Sequence, residues 1–299
     1  MKLSEAARWM EGELVGADCE FAQVSTDTRA LDGGELFVAL RGENFDAHDF
    51  LSGAASAGAI AAVTERATDA FGSYVRVRDT RRALGLLAAA WCDQFPIRRV
   101  AVTGNAGKTT VKEMIAAMLG EGTHATEGNL NNDIGVPLTL LGVNEEHRYG
   151  VFELGANAPG EIAWTTALVK PEVALVTNVT GAHLEGFGSL DGIARGKAEI
   201  FSGMPAGGTA VINQDDFYAD FFATAAAEQN QRVVRVGESE NADLRATRVD
   251  CRAAEVRFVL EPGGVTVQVP LAGRHQVSNA LLALGAVRAL GLELTTAAR

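Results

Sequence analysis

The stretch 98-RRVAVTGNAGKTTVKEMIAAML-119 decides the fold of this chain. Its first part, 98–104, is dominated by small and β-branched apolar residues, which predicts a buried strand. Its last part, 108–119, carries apolar residues at helical spacing and predicts a helix. A buried strand that leads through a short glycine-rich turn into a helix is typical of α/β proteins with a mainly parallel sheet. We therefore expect this architecture for the surrounding chain.

The turn between this strand and helix, 103-TGNAGKTT-110, has the composition of a phosphate-binding loop. Backbone N–H groups at the start of a helix converge on one place, where the helix dipole also favours an anion. A lysine there can neutralise terminal phosphates, and a threonine hydroxyl can bind magnesium. The strict P-loop pattern requires glycine at position 102, where this chain has Val102, so the loop is a shortened variant. The alternative is a chance glycine-rich turn with a solvated lysine. The residues predicted to bind the nucleotide phosphates are Gly104, Asn105, Gly107, Lys108, Thr109 and Thr110.

The chain after this loop repeats the alternation of strands and helices. Continuous apolar runs separated by helical patterns favour a sheet that is covered on both faces. Farther along, short alternating runs around a Pro-Gly-Gly turn at 262–264 predict an antiparallel appendage. A helix is predicted for about 275–290. The predicted strands are 98–104, 149–155, 173–179, 209–213 and 232–237 in the parallel part, and 245–250, 255–260 and 265–271 in the appendage.

Residues 1–82 have the pattern of a separate, smaller α/β domain. Short apolar runs such as 36-LFVAL-40 and 59-AIAAVT-64 alternate with helical or turn-rich pieces. A helix predicted from about 81 to 95 stops before Pro96, because proline disfavours helical conformation at the preceding residue. We predict a boundary at the start of this helix, which gives domains 1–82 and 83–299.

Length and composition exclude several classes of protein. The 299 residues suit two domains, and a content of 47% apolar and 21% charged residues is that of a globular protein. The formal net charge of −12 argues against nucleic-acid or anionic-membrane partners. Three widely spaced cysteines argue against a disulfide framework. Residues 1–16 predict an amphipathic helix rather than a signal peptide. We therefore expect a cytoplasmic protein without membrane insertion. A monomer is the expected oligomeric state, although composition does not determine it.

Several polar residues follow the predicted strands. Glu153 ends a strand at the edge where α/β sheets bind ligands, although a strand-end glutamate can also simply reach solvent. His183 follows the next strand at its corresponding end, with a structural role as the alternative. Lys197 lies on a helix predicted to begin after Ser189, and composition alone gives no reason to single it out. The loop 126–137 is rich in asparagine and glycine, so it is either a substrate-binding loop or an ordinary turn.

The sequence resembles the Mur ligases of peptidoglycan synthesis. The resemblance extends over essentially the whole chain, with the motifs in the family's order. The motifs that carry it are 25-STDTR-29, 36-LFVALRGENFDAHDF-50, 102-VTGNAGKTTVKE-113, 128-GNLNNDIGVP-137, 151-VFELGAN-157, 183-HLEGFGS-189 and 273-GRHQVSNAL-281.

This resemblance implies an ATP-dependent amide ligase that uses ATP and Mg²⁺. The γ-phosphate would pass to the terminal carboxylate of a substrate, and an amine would attack the resulting acyl phosphate. Such chemistry needs cations and N–H donors where charge develops. The segments 44-NFDAHDF-50 and 183-HLEGFGS-189 most resemble the family member that joins D-alanyl-D-alanine to UDP-N-acetylmuramoyl-tripeptide. These two molecules are therefore the expected substrates.

The resemblance also implies roles for individual residues. Lys108, Glu153, His183 and Lys197 are the expected catalytic group. Thr109 and Glu153 would hold one magnesium ion, and His183 and a carbamylated Lys197 would serve a second. The adenine is expected at Asn178, His275 and Asn279, the UDP portion at Thr28, Arg29 and Arg41, and the muramoyl peptide at Asn129, Asn131, Asn132 and Asp133. Gln276 stands where the family pattern has asparagine and receives no role.

Three alternatives to this assignment remain. Family members carry a third domain that supplies much of the amino-acid site, and the sequence ends at Arg299, where that domain is expected to begin. The first alternative is therefore a fragment that binds nucleotide and substrate but is inactive without its third domain. The second is another Mur ligase, such as the one that adds the third residue of the peptide, and the third is a folylpolyglutamate synthase. A P-loop GTPase is disfavoured because no Asn-Lys-x-Asp element is present.

Overall fold

A computed structural model describes residues 1–42, 45–181 and 184–294 of the chain. It divides into two compact units, Met1–Gln94 and Phe95–Arg299. The elements of the first unit are α1 (Leu3–Trp9), β1 (Glu13–Val15), β2 (Val24–Ser25), β3 (Leu36–Val38), α2 (Leu51–Ser56), β4 (Ala61–Thr64), β5 (Tyr74–Arg76) and α3 (Thr80–Cys92).

The first unit is a small α/β domain, as the sequence predicts. Within its described residues the strand order is β1-β5-β4-β3-β2, and all neighbours are parallel except the β1/β5 pair. The helix expected over 1–16 is shorter than predicted, because α1 ends at Trp9 and the chain then forms β1. Glu11 adopts a left-handed conformation with φ 54°, which an α-helix cannot continue through.

The division between the units differs from the predicted boundary near residue 82. Helix α3 belongs to the first unit, so the division follows this helix instead of preceding it. Its Leu84 and Leu87 are fully buried, and α3 packs against α1. The sequence locates the helix correctly, but the helix's packing partner is more than seventy residues earlier in the chain and no local pattern reveals it.

The second unit contains a larger mixed sheet with helices between its strands. Its elements are β6 (Arg98–Thr103), α4 (Lys108–Leu119), β7 (Thr123–Ala125), α5 (Gly135–Leu141), β8 (Tyr149–Glu153), α6 (Glu161–Val169), β9 (Val173–Val176), α7 (Leu184–Phe187), α8 (Leu190–Ala198), β10 (Thr209–Asn213), α9 (Ala219–Glu228), β11 (Arg232–Gly237), β12 (Leu244–Cys251), β13 (Val256–Glu261), β14 (Val265–Val269) and α10 (His275–Ala289).

The order of the strands confirms the predicted fold class. Within the described residues the sheet runs β14-β13-β12-β11-β10-β9-β6-β8-β7. Strands β6 to β12 pair in parallel, whereas β12, β13 and β14 form the antiparallel appendage. The five predicted parallel strands and the three predicted appendage strands all form. Strand β7 was not predicted, because three residues are too few to establish an alternating pattern.

One face of this sheet packs against α4 and α10. Val100, Leu175 and Val211 from neighbouring strands join Ile115 of α4 and Leu281 of α10 in a single buried cluster. Helices α5, α6 and α9 pack on the strands without joining this cluster, and strand side chains alternate between faces. The sheet is therefore covered on both faces, and the carboxyl ends of β6, β8 and β9 share one edge. In the described part of the chain, no helix is long and apolar enough to cross a membrane.

Candidate functional site

Two glycines shape the turn between β6 and α4. Gly104 has φ 141° and Gly107 has φ 80°, conformations that other residues rarely adopt. A Cβ atom at Gly104 would lie 1.9 Å from Oγ1 of Thr177, and one at Gly107 would lie 2.8 Å from Oδ1 of Asn279. Both positions therefore require glycine, for backbone conformation and for space.

The chain that follows β9 fixes this turn from the side. The N–H of Ala106 donates to Oδ1 of Asn178 at 3.0 Å, and Nδ2 of Asn178 donates back to the Ala106 carbonyl at 3.0 Å. The N–H of Asn105 donates to the Asn178 carbonyl at 3.1 Å, and Oγ1 of Thr177 donates to the Ala106 carbonyl at 2.6 Å. Asn178 thus holds the loop backbone, a contact that the sequence did not predict.

The start of α4 offers positive electrostatic potential to an anion. Gly107 is the N-cap residue and has no side chain to cap the first N–H groups of the helix, so these groups are available to a ligand. Lys108 is the first residue of α4, and its ammonium donates to the carbonyls of Gly104 at 3.1 Å and Asn105 at 3.4 Å. Thr110 follows within the first turn of the same helix.

Thr109 and Glu153 meet at the end of β8. Oγ1 of Thr109 donates to Oε2 of Glu153 at 2.8 Å, and Nδ2 of Asn131 donates to Oε1 of the same carboxylate at 2.8 Å. Glu153 is only 2% exposed. Burial of a carboxylate is unfavourable unless it is hydrogen-bonded or bound to a cation, so this arrangement accounts for a glutamate at an apolar strand end. It also means that Asn131, predicted to bind substrate, contacts the carboxylate in this structure.

A cavity of about 120 Å³ lies beside these groups. It brings together residues from the phosphate loop, the asparagine-rich loop, the segment after β8, and helices α6 and α8. The lining residues are Lys108, Asn131, Asn132, Gly155, Ala156, Asn157, Glu161 and Lys197. Four candidates from three separate parts of the sequence, namely Lys108, Asn131, Asn132 and Lys197, therefore line one cavity.

Lys197 is the most buried charged residue of this cavity. It lies on α8, which Ser189 caps through a hydrogen bond from the N–H of Gly192 at 3.0 Å. Its residue is 1% exposed, and burial together with the positive charge of Lys108 lowers the pKa of its amine to about 8. The negative charges of Glu161 and Glu199 act in the opposite direction. The result is an amine that is easier to deprotonate than an ordinary lysine.

Helix α10 carries three polar side chains in contact with one another, one of which lies beside the phosphate loop. Asn279 is buried beside Gly107, and its Nδ2 donates to Oε1 of Gln276 at 3.0 Å. Nε2 of Gln276 lies 3.1 Å from Nε2 of His275. Gln276 therefore links His275 and Asn279, the two α10 residues predicted to bind adenine. No role was predicted for Gln276 itself. Only the spacing of side chains on the helix could have indicated this contact.

The asparagine-rich loop is partly ordered by its own side chains. Oδ1 of Asn132 accepts from the N–H of Gly135 at 2.8 Å at the start of α5, and the N–H of Asn131 donates to the Asn129 carbonyl at 2.7 Å. Asn129 and Asn132 are exposed, and Asp133 is half-buried. The segment 126–137 is thus more than a turn, because its last residues begin α5.

In the first unit, the two arginines predicted to bind substrate pair with neighbouring carboxylates. Thr28 and Arg29 lie in a 3₁₀ turn, where Arg29 pairs with Asp27 at 2.7 Å. This contact lowers the pKa of the Asp27 carboxyl to about 2. Arg41 pairs with Glu65 at 3.0 Å and with Asp46 at 3.4 Å. Both arginines are held in place, yet their side chains stay largely exposed.

One predicted site residue, His183, lies outside the described residues, so the geometry bears only on the other candidates. Among the residues that are described, no group of three or more His, Cys, Asp or Glu side chains could hold a metal ion. Magnesium at nucleotide sites is commonly held by one or two carboxylates together with the substrate phosphates. The Thr109 hydroxyl and the Glu153 carboxylate suit that type of site.

Comparison with protein families gives two consistent matches. The Mur ligase middle domain matches residues 102–287, and the Mur ligase family catalytic domain matches residues 20–92. The first match contains the phosphate loop, Glu153, Lys197 and most of α10, and the second contains Arg29 and Arg41.

Individual relatives match over nearly the whole chain. The UDP-N-acetylmuramoyl-tripeptide–D-alanyl-D-alanine ligase of Escherichia coli K12 is 48% identical over 297 residues, which are 98% of this chain and 65% of the relative. A crystal structure of MurF from Acinetobacter baumannii superposes with a TM-score of 0.93 at 37% identity, covering 99% of this chain and 66% of that one. MurF ligase from Thermotoga maritima in complex with ADP gives a TM-score of 0.80 at 28% identity, with 92% and 65% covered.

The chain therefore spans slightly less than two thirds of the length of these relatives. The middle-domain match alone covers more than half of it, and the relatives share its fold in both units. The chain belongs to the Mur ligase family.

Proposed function

We propose that this chain carries the ATP-binding and UDP-substrate-binding parts of an ATP-dependent ligase that joins D-alanyl-D-alanine to UDP-N-acetylmuramoyl-tripeptide. The observation that carries the proposal is the Thr109–Glu153 hydrogen bond of 2.8 Å at the start of the loop helix, beside a cavity lined by Lys108 and Lys197. The 48% identity with the E. coli ligase of that name supports the choice of substrates.

Magnesium fits the donor set at Glu153. A hydroxyl oxygen and a carboxylate are hard oxygen ligands, the type that Mg²⁺ prefers, and nucleotide phosphates complete its shell. Thr109 and Glu153 would hold one ion, and His183 and Lys197 are the residues that we assign to a second. The ion would neutralise charge on the phosphates.

The phosphate loop would bind and orient the triphosphate. The N–H groups at the start of α4 would donate to phosphate oxygens, and the Lys108 ammonium would leave its two loop carbonyls to contact the terminal phosphate. These donors stabilise the negative charge that develops as the γ-phosphoryl moves to the carboxylate of the tripeptide. This transfer would release ADP and leave an acyl phosphate. The amine of D-alanyl-D-alanine would then attack the acyl carbon, lose a proton and displace inorganic phosphate, so that an amide forms.

Residues around the loop would recognise the rest of the substrates. We assign the adenine to Asn178, His275 and Asn279. Asn178 and Asn279 lie beside the loop, and His275 begins the helix that carries Asn279. The UDP portion is assigned to Thr28, Arg29 and Arg41 in the first unit. The muramoyl peptide is assigned to Asn129, Asn131, Asn132 and Asp133.

Lys197 would act as a carbamate. Carbon dioxide adds only to a neutral amine, and a pKa of about 8 leaves about one amine in ten neutral at pH 7. Carbamylation would convert a buried cation beside Lys108 into an anion, which removes the repulsion between the two amines. Carbon-13 NMR with labelled bicarbonate should show a carbamate signal that Lys197→Arg abolishes. Persistence of that signal in the variant would refute the assignment.

The experiment that tests the proposed ligase separates binding from turnover. Calorimetry measures the affinity of the chain for β,γ-methylene-ATP with magnesium and for UDP-N-acetylmuramoyl-tripeptide. Mass spectrometry then detects the pentapeptide product after D-alanyl-D-alanine and ATP are added. We expect both ligands to bind and any product that forms to require all three substrates. Failure to bind either ligand would contradict the proposal.

A further inference from the structure

Lys112 is a buried lysine that the proposed chemistry does not use. It lies on α4, one turn after Lys108, and is 1% exposed. Its ammonium donates to the carbonyl of Thr126 and pairs with the exposed Glu113 at 2.7 Å. Burial of an ammonium is unfavourable without hydrogen-bond partners. The Thr126 carbonyl is the buried partner of Lys112, and the question is why this carbonyl is free to accept a hydrogen bond from a side chain.

The Thr126 carbonyl is the group at which β7 stops pairing with β8. The N–H of Thr126 donates to the Val151 carbonyl at 3.0 Å, which continues the parallel register of β7 and β8. In a continuing parallel ladder, the N–H of Glu153 would donate to the Thr126 carbonyl. It donates instead to Oγ1 of Thr126 at 3.0 Å. The Thr126 carbonyl therefore accepts its hydrogen bond from the Lys112 ammonium instead of from the N–H of Glu153.

This exchange affects the surroundings of the Glu153 carboxylate. Because the ladder ends at Thr126, the chain after it departs from the sheet and brings Asn131 to Oε1 of Glu153. The backbone of Glu153 stays attached to Thr126 through the threonine hydroxyl. The loop 127–131 and the backbone at Glu153 thus depend on one residue, Thr126, whose carbonyl is held by Lys112.

We propose that Lys112 is a positioning residue for the magnesium-binding carboxylate, acting through Thr126 on Glu153. The inference rests on the proposed function, in which Glu153 holds the metal. Lys112 touches neither substrate nor metal in this role. By binding the Thr126 carbonyl, Lys112 keeps this carbonyl from pairing with the N–H of Glu153. The loop can then leave the sheet, and one oxygen of Glu153 accepts from Thr109 while the other accepts from Asn131.

The test measures how nucleotide binding depends on magnesium. The affinity for β,γ-methylene-ATP is titrated against Mg²⁺ concentration and is also measured in EDTA. For Lys112→Met we expect about a tenfold rise in the magnesium concentration that gives half-maximal binding, which is the usual effect of losing an outer partner of a metal ligand. The affinity in EDTA should not change, because the phosphate loop itself is intact.

Matched variants separate positioning from general destabilisation. Thr126→Val removes the hydroxyl and should reproduce the magnesium effect, whereas Thr126→Ser keeps the hydroxyl and should behave as the parent. Glu113→Gln removes the exposed partner of Lys112 and should also behave as the parent. Circular dichroism establishes that each variant folds, and if Lys112→Met does not fold, the two Thr126 variants decide the question.

The outcomes distinguish this inference from the proposed function. If the parent shows no magnesium-dependent nucleotide binding, the proposed function fails and the inference fails with it. In a second outcome, the parent binds nucleotide as expected while Lys112→Met and Thr126→Val need the same magnesium concentration as the parent for half-maximal binding. That result would overturn the positioning role and leave the proposed function standing. An equal loss of affinity with magnesium and in EDTA would show that Lys112 supports the loop rather than Glu153.

Discussion

Replacement of Glu153 by glutamine should weaken magnesium-dependent nucleotide binding without unfolding the second unit. The carboxylate accepts one hydrogen bond from Thr109 and one from Asn131, each 2.8 Å long. The glutamine carbonyl can still accept from Asn131, and its amide can donate to the Thr109 hydroxyl. Hydrogen bonds to the charged carboxylate are stronger than those to the neutral amide, which favours the parent. Burial of a neutral amide has a smaller desolvation cost than burial of a charge, which favours the variant. These effects oppose each other, so we expect the free energy of unfolding to change by no more than about 1 kcal/mol.

Loss of the negative charge should have a larger effect on the metal. Substitutions of mere outer partners weaken metal binding by about tenfold to a hundredfold, which corresponds to about 1.4–2.8 kcal/mol, and a direct ligand should contribute at least as much. The assay is calorimetric titration of β,γ-methylene-ATP into Glu153→Gln, with magnesium and in EDTA, with Glu113→Gln as the control on the exposed side of α4. Equal affinity of the parent and Glu153→Gln in magnesium would refute the metal assignment. A loss of the same size in EDTA would show that Glu153 supports the loop instead.

Three further predictions concern the loop and its surroundings. Lys108→Ala should weaken nucleotide binding by about tenfold to a hundredfold in calorimetry, since a charge-assisted contact contributes about 1.5–3 kcal/mol, and undiminished binding would contradict the phosphate loop. Gly104→Ala should destabilise the second unit by about 1–3 kcal/mol in urea titration, because its Cβ would lie 1.9 Å from Oγ1 of Thr177. An unchanged urea midpoint would contradict this steric conflict. The lowered pKa of Lys197, about 8 against the ordinary 10.5, means that the unfolded chain binds more protons between these values. In buffer free of carbon dioxide, the stability of the parent relative to Lys197→Met should therefore rise from about pH 8 to about pH 10.5, and a flat difference would contradict the burial of a neutral amine.

The sequence predicted those parts of the fold that depend on local patterns. Strand β6, the turn and α4 follow directly from the apolar run, the glycines and the helical spacing between 98 and 119. Strand β7 escaped prediction because its three residues carry no period. The division between the units was placed too early, because the packing of α3 depends on α1, which is distant in sequence.

In the candidate site too, positions at strand ends could be predicted from local sequence, whereas contacts between distant segments could not. The position of Glu153 at the ligand-binding edge of the sheet follows from its place at a strand end, whereas its pairing with Thr109 at one magnesium ion came from the family resemblance. The contact of Asn131 with Glu153, the link through Gln276, and the buried Lys112 depend on how loops and helices pack. No spacing in the sequence encodes the Asn131 and Lys112 contacts, and only the helical spacing of Gln276 and Asn279 could have indicated their contact. The roles of Lys197, Asn178 and Asn279 came only from the family resemblance and remain predictions.

Helix α10 has a consequence for the order in which the second unit can be assembled during synthesis. It packs against β9, β10, β11, β12 and α4, and its Asn279 lies beside Gly107 of the phosphate loop. A nascent chain that has been translated only as far as β11 already contains the complete glycine-rich motif, yet it lacks the helix that covers this face of the sheet. If the loop binds nucleotide as proposed, we expect the emerging polypeptide to bind it only after His275–Ala289 has left the ribosomal tunnel. A stalled ribosome carrying the shorter nascent chain should fail to retain ATP, even though that chain contains every residue of the loop.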